Sequence, residues 1–388
     1  MRNFWTIFGY EWKKIWMRKL TWVLAVLLTL WTAYECLPHL RFSDVTFLFV
    51  AEDGTEISQT ISDFERFQIE REGIRHLDGQ VMDEEFFRTM RESLPEQLSA
   101  DQRNYEYYFY LEDSTYIGYW LKMNGSGSLE TITAEEFYAT TQDDSVYKLS
   151  ADEITYWDAM KAQVEIPYTF RDTAGAGAII DAVRDIIAKF LPLLIAVCLC
   201  GVFPQEYSCR TDALIYSSQS GRLPLYLAKV LAAALSTLLL TTAVVAVGAV
   251  VSMLAYGGVN FDAALQSFWT GNKWPITMGQ AILIQLGLLL IYALLCGGLA
   301  MLISLLTENS IAGLAAPVML VLCGLILQFS AAEYLPGNLI FHLMENYHLI
   351  EFLGIQFNWV QAGYLLYGGI TIVLFGLCWV VWRQKSRI

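Results

Sequence analysis

Long apolar runs separated by short polar breaks dominate the chain, and a single large polar block interrupts that rhythm. The runs cover Leu20 to Leu37, Ile186 to Phe203, Leu225 to Tyr256, Ile276 to Leu306, Ile311 to Ala332 and Gly363 to Trp382. A helix rises about 1.5 Å per residue, so about 20 apolar residues cross a hydrocarbon core about 30 Å thick. The pattern predicts six membrane-spanning helices, the third and fourth long enough to tilt or to reach into water. Residues 38–185 lack the pattern and predict a separate domain inserted between the first two spans. Ahead of the first span, Phe4, Trp5, Phe8, Trp12, Ile15 and Trp16 recur at three- and four-residue spacing, interleaved with Glu11, Lys13, Lys14 and Arg18. That spacing predicts an amphipathic helix over residues 1–19, lying along the membrane surface. No cleavable leader is expected, because the first apolar run starts late and lacks a small-residue cleavage site.

Composition agrees with the pattern. Hydrophobic residues make up 55% of the 388, and charged residues only 16%. The net charge of -14 is unevenly placed: residues 38–185 hold 30 of the 39 Asp and Glu but 12 of the 25 Lys and Arg, which is net -18. The other 240 residues are net +4, with 13 basic and 9 acidic side chains. Short loops keep Lys and Arg on the cytoplasmic face. Lys13, Lys14, Arg18 and Lys19 precede the first span, Arg210, Arg222 and Lys229 surround the second connection, and Arg383, Lys385 and Arg387 follow the last. A six-span arrangement puts all three groups on one side, so both termini are expected in the cytoplasm and the acidic block outside. The opposite short loops carry Lys273 against Asp262, Glu333, Glu345 and Glu351.

The fold expected is therefore a mainly α membrane protein with six transmembrane helices and a mixed, helix-rich extracytoplasmic domain between helices 1 and 2. That domain has no cysteine and must fold without disulfides. Thr133-Ala-Glu-Glu136 and Ser150-Ala-Asp-Glu153 fit the capping box and predict helix starts. Asp83 to Leu94 predicts another helix, Gly125-Ser-Gly127 a turn, and the tyrosine-rich stretch from Asn104 to Leu121 fits strand or helix. An acidic surface with internal aromatics fits either a groove for cations or a solvated face over a core. Within the spans, Pro192 and Pro317 free backbone carbonyls, while Gly297-Gly298, Gly368-Gly369 and Ala232 to Ala234 permit close helix contact.

Catalytic chemistry is sparse. There is no G-x-x-x-x-G-K-[ST] phosphate loop, no G-x-S-x-G and no H-E-x-x-H. His342, Glu345 and His348 are spaced by three, which spreads them round a helix too widely for an easy shared metal. The seven cysteines, at 36, 198, 200, 209, 296, 323 and 378, sit in or beside spans, where a free thiol behaves as a small hydrophobe. No metal and no cofactor is expected in this chain. Nor is there a row of intramembrane carboxylates to relay protons or sodium, so work for transport must come from elsewhere.

The polar connection between the second and third runs, PQEYSCRTDALIYSSQSGRLP from Pro204 to Pro224, is too short for a domain. It carries Glu206, Arg210, Asp212 and Arg222, a helix-compatible middle and a proline at each end, which predicts a helix at the membrane surface over 205–223. Glu206 and Arg210, one turn apart, are spaced to pair. From Val202 to Lys229 the segment resembles the permease subunits of type-2 ATP-binding-cassette exporters: Glu206 after an aromatic, Thr211-Asp212, Ser217-Ser218, Arg222, and Lys229 opening the third span. The basic amphipathic approach from Phe8 to Trp22 is also similar to that family, and Leu149 to Phe170 is similar to a large-ectodomain branch from Gram-positive bacteria.

That resemblance implies a dimerising bacterial cell-membrane permease, pairing with a second copy or a paralogue and working with separate cytoplasmic ATPase subunits that bind the ATP. It further implies that the 205–223 helix receives the push, through Glu206, Arg210, Thr211, Asp212, Arg222 and Lys229. Membrane lipids and an exported substrate complete the expected partners, and nucleic acid is not among them. Peptides, drugs, lipids and ions all remain open as cargo. A membrane-anchored sensor relaying ligand capture is the alternative class, and a metal enzyme built on His342, Glu345 and His348 a third.

Overall fold

The computed structural model describes residues 2–37, 44–50, 56–62, 78–92, 133–139, 149–208, 222–269, 272–326, 346–352 and 354–385. Helices α1 (Arg2–Trp16) and α2 (Lys19–Glu35) meet at a break where the axis turns by 64°. The aromatic positions that predicted α1 form a ladder: Trp5, Phe8, Trp12 and Trp16 follow one another with ring centroids 5.9, 5.7 and 5.8 Å apart. This ladder leaves Ile15 and Glu11 on the buried side of α1, against the third span described below.

The polar block supplies an antiparallel pair, β1 (Asp44–Val50) and β2 (Glu56–Ser62), then the short helices α3 (Glu84–Glu92), α4 (Ala134–Ala139) and α5 (Ala151–Lys161). Both predicted capping boxes form. Thr133 and Glu136 exchange side-chain and backbone bonds at 3.2 Å, and Ser150 and Glu153 do so at 3.3 and 2.7 Å. Phe87 and Phe137 meet at 5.1 Å and join α3 to α4. Asn104 to Leu121, Gly125 to Gly127 and Leu94 lie outside the described residues.

The expected second span proves longer than its apolar run. A helix extends from Ala174 to Ser208 as α6 (Ala174–Ala182), a π-helical turn at Val183–Ile187, α7 (Ala188–Leu199) and α8 (Pro204–Ser208). Asp181, Arg184 and Asp185 end the apolar pattern in sequence, but the helix carries them as a local pair set, Arg184 reaching Asp181 at 2.9 Å and Asp185 at 3.3 Å. Next come α9 (Arg222–Tyr256), α10 (Met278–Thr307), α11 (Ser310–Ile326), the hairpin β3 (Leu349–Phe352) and β4 (Ile355–Asn358), and α12 (Trp359–Lys385). Pro224 sits in the first turn of α9, where a missing N–H costs nothing.

Among the described residues four helices are long and apolar enough to cross a bilayer: Ala174–Ser208, α9, α10 and α12. The bent pair α1 and α2 gives a fifth when counted as one span, and α11 is a shorter apolar helix whose expected continuation to Ala332 lies outside the described residues. Helix α10 packs against α7, α9, α11 and α12 and forms the centre of the bundle. Large apolar side chains also cover the outside of these helices: Leu27 and Leu30 on α2, Met253 and Leu254 on α9, and Ile372 and Val373 on α12 are all exposed. Water cannot favour such a surface, whereas lipid does. The predicted glycine contacts divide. Gly297 has Leu199 and Ile195 so close that a Cβ would stand 2.6 Å from the leucine, while nothing packs within 4 Å of Gly368 or Gly369. That second pair therefore has no close helix partner among the described residues.

Candidate coupling site

At one end of the bundle four charged side chains meet below the apolar core. Lys229, two turns into α9, is fully buried and places its Nζ 2.6 Å from Glu206 Oε1 of α8 and 2.9 Å from Glu11 Oε2 of α1. It also donates to the carbonyl of Val202 at 2.9 Å and stands 5.4 Å from the centre of the Phe203 ring. Lys14 closes the figure, 2.7 Å from Glu11 and 3.8 Å from Glu206. Glu11 and Glu206 are only 4% and 3% exposed and Lys229 is fully buried, so two carboxylates and one ammonium group share a site nearly closed to water, with the half-buried Lys14 at its edge. Charge in such a site is tolerated because the signs balance; removing one member leaves a buried charge uncompensated, at a cost of about 3–5 kcal/mol.

Local sequence explains why these groups point inward. On α1, Phe4, Phe8, Glu11 and Ile15 are spaced by four, three and four, so Glu11 lies on the stripe that turns to the core. On α9 the buried positions Leu225, Lys229, Ala232, Ala233 and Ser236 form one face, and the small alanines bring α1 close enough for Trp16 to donate to Ser236 at 3.1 Å. Glu206 follows Pro204 on the last helical turn of the second span, directly below the core.

Two further ties surround α8. Phe203 packs on Trp382 of α12 at 5.1 Å, and Lys385 stands 5.4 Å from the Tyr207 ring while pairing with Glu308 at 2.7 Å. Arg18, at the break between α1 and α2, donates to the carbonyl of Cys198 at 3.2 Å, and its guanidinium lies on Gly201 so closely that any Cβ there would overlap it. A side chain at 201 would have to push the Arg18 head group aside. The foot of the second span is thus gripped by α1, α9 and α12 together. Lys14, Arg18, Lys229 and Lys385, drawn from the three predicted basic groups, gather at this single end.

A family model described as "ABC-2 family transporter protein" matches residues 5–362. The chain belongs to the ABC-2 family of transporter proteins. It is a multi-pass membrane protein of the transport class, whose family members are membrane subunits rather than ATPases and ordinarily work with an ATPase partner. Comparison with curated proteins and with solved structures gave no match.

In this ABC-2 protein, three of the six residues expected at the coupling site are described, and two of them, Glu206 and Lys229, meet directly. Arg222 opens α9. Arg210, Thr211 and Asp212 lie outside the described residues. The sequence spacing pairs Glu206 with Arg210, which lies outside the described residues; among those described, Glu206 is 3% exposed and pairs with Lys229 and Lys14. Glu11 and Lys14 were not expected at the site; the signal that could have found Glu11 is a carboxylate on the apolar stripe of an amphipathic helix.

The opposite end of the ABC-2 bundle is organised by rings. Trp157 of α5 is fully buried and meets Tyr156 at 5.1 Å, Trp274 at 5.1 Å and Tyr347 at 5.0 Å, and its Nε1 donates to the Tyr347 carbonyl. Glu153 accepts from the amide of Leu349 at 2.8 Å and lies 3.3 Å from His348 Nδ1. Burial pushes the Glu153 carboxyl up, but the amides of Ser150 and Leu349, the Ser150 hydroxyl and His348 outweigh it and hold the group below its ordinary 4.5. His348 is thereby engaged with α5, while His342 and Glu345 lie outside the described residues. No group of three potential metal ligands occurs among the described residues.

Proposed function

We propose that this chain is the permease subunit of an ATP-driven exporter in a bacterial plasma membrane, with six spans, both termini in the cytoplasm and residues 38–185 folded outside. Separate ATPase subunits bind the nucleotide, the chain itself holds no cofactor, and the membrane unit is completed by a second copy or a paralogue. The 205–223 segment receives the partner's movement. The observation that supports this reading is the charged quadruplet at the foot of that segment, in which Glu11, Glu206 and Lys229 are buried and Lys14 closes the edge. A surface segment that hung freely in water would absorb a push. One whose first turn is locked by opposite charges to two other helices passes the push into α1 and α9 as a unit.

The experiment is affinity purification of the full chain from its native membrane, combined with thiol labelling of single cysteines placed through 205–223. A P-loop ATPase bound in stoichiometric amount, which protects those positions from a reagent confined to the cytoplasmic side, is the expected result. Labelling of the segment from the exterior, or purification without any ATPase, contradicts the proposal.

A further inference from the structure

At the end of the bundle away from Lys229, a cleft of about 480 Å³ opens between the stretch that leads out of α5 and the connection from α9 to α10. Its size falls in the range of small-ligand sites. Both walls are held by backbone pairing. On one side Met82 N donates to the carbonyl of Tyr168 at 3.0 Å and Phe170 N to that of Gln80 at 2.7 Å. On the other, Leu265 N donates to the carbonyl of Ile276 at 3.0 Å and Met278 N to that of Ala263 at 2.8 Å. A cleft with walls fixed in this way needs little ordering when something enters it.

The polar groups that face the cleft are biased toward acceptors. Glu165 lines it and makes no hydrogen bond or ion pair among the described residues. Asp262 lines the facing wall and is 73% exposed at its side chain. Gln266 is 93% buried, from an exposure of 7%, and its Nε2 donates to the carbonyls of Asn272 at 3.1 Å and Trp274 at 2.6 Å. Those two bonds fix the amide and leave Oε1, an acceptor, as its remaining polar end. The one cation that lines the cleft among the described residues, Arg171, is shared between Asp78 at 3.7 Å and Asp262 at 3.8 Å. One guanidinium against Asp78, Asp262 and Glu165 leaves a local surplus of two negative charges. Val164, Pro167 and Ile276 supply apolar surface between the polar groups.

We infer that this cleft binds a short cationic peptide segment, with lysine ammonium groups on Glu165 and Asp262, donors on Gln266 and the aliphatic stems against Val164 and Ile276. Ammonium groups on carboxylates make the stronger, charge-assisted class of hydrogen bond. The acidic block to which one wall of the cleft belongs, net -18 over residues 38–185, draws such a ligand in from a distance. This site is separate from the cytoplasmic machinery proposed above, and its test requires neither ATP nor an ATPase.

The test is calorimetric titration of trilysine into the full chain in lipid nanodiscs, with triglutamate and triglycine as comparators. Saturable trilysine binding is expected, with no binding of triglutamate. Glu165→Gln and Asp262→Asn, both on exposed side chains that the fold does not rely on, should each weaken it about tenfold. Glu135→Gln removes the same charge from α4 and should leave the affinity unchanged. Equal weakening by Glu135→Gln would reduce the effect to general attraction by net charge and overturn the site. Binding of triglutamate as tight as that of trilysine, or the lack of saturable trilysine binding, overturns it as well.

Discussion

The two ends of the helix bundle solve the same problem, fastening a polar segment to an apolar frame, in opposite ways. At the α8 end the fastening is ionic and buried: Lys229 is fully enclosed between Glu11 and Glu206. At the α5 end it is mainly aromatic, with Trp157 enclosed by Tyr156, Trp274 and Tyr347, and each ion pair there keeps a partner in water: the fully buried Lys273 meets the exposed Asp158 at 3.4 Å, and Arg171 with Asp262 stays partly in water. Ring packing tolerates small sliding movements because dispersion is non-directional. A buried set of alternating charges does not, since any displacement leaves a charge unmatched. On the proposed coupling role, the difference separates an end that passes movement on from an end that permits adjustment.

The largest expected effect comes from breaking the ionic end. Lys229→Ala removes the cation between two buried carboxylates, and thermal unfolding in detergent should register a loss of about 3–5 kcal/mol. Second is the aromatic end: Trp157→Ala opens a cavity and abandons the bond to Tyr347, for a loss of about 3 kcal/mol, while Trp157→Phe retains most of the packing and should cost about 1 kcal/mol. If Lys229→Ala were the milder of the two alanine variants, the contrast between the ends would fail.

The smallest effect is set by pH. The Glu153 carboxyl is held below its ordinary 4.5 by its donors, so the folded chain binds fewer protons there than the unfolded chain does. Its contribution is present above that ordinary value and is lost as pH falls through the lowered one. Acid should therefore loosen α5 from the segment at His348 and Leu349 before the rest of the fold responds. Hydrogen exchange at the Leu349 amide, followed from pH 7 downward, checks this, and Glu153→Gln should abolish the pH dependence.

How much of this was legible in the sequence depends on the distance between partners. The capping boxes at Thr133 and Ser150 were readable because each is complete within four residues. The ladder of α1 was readable because period alone defines a face. The helix start at Ala174 was not, since Asp181, Arg184 and Asp185 interrupt the apolar run and only the folded chain shows them pairing with one another. Glu206 stands out in the sequence as a charge at the foot of a span, but its surroundings do not. Its partners Lys229 and Lys14 lie far along the chain, and a nearer arginine offered a plausible local pair. Gly368-Gly369 carries the same pattern as Gly297-Gly298, and only packing tells that one of these pairs meets a neighbour.

The central claim is that the charged quadruplet carries an applied push from α8 into the bundle. Glu206→Gln is nearly isosteric and removes one charge, so it tests that claim with less disturbance than truncation. The direct measurement is the distance between spin labels placed at Ser208 and Glu351, exposed positions at the two ends, in the complex of this chain with its ATPase, before and after ATP. The unmodified quadruplet should give an ATP-driven shift, and Glu206→Gln should bind the ATPase equally well but give none. An ATP-driven shift of the same size in Glu206→Gln would contradict the account.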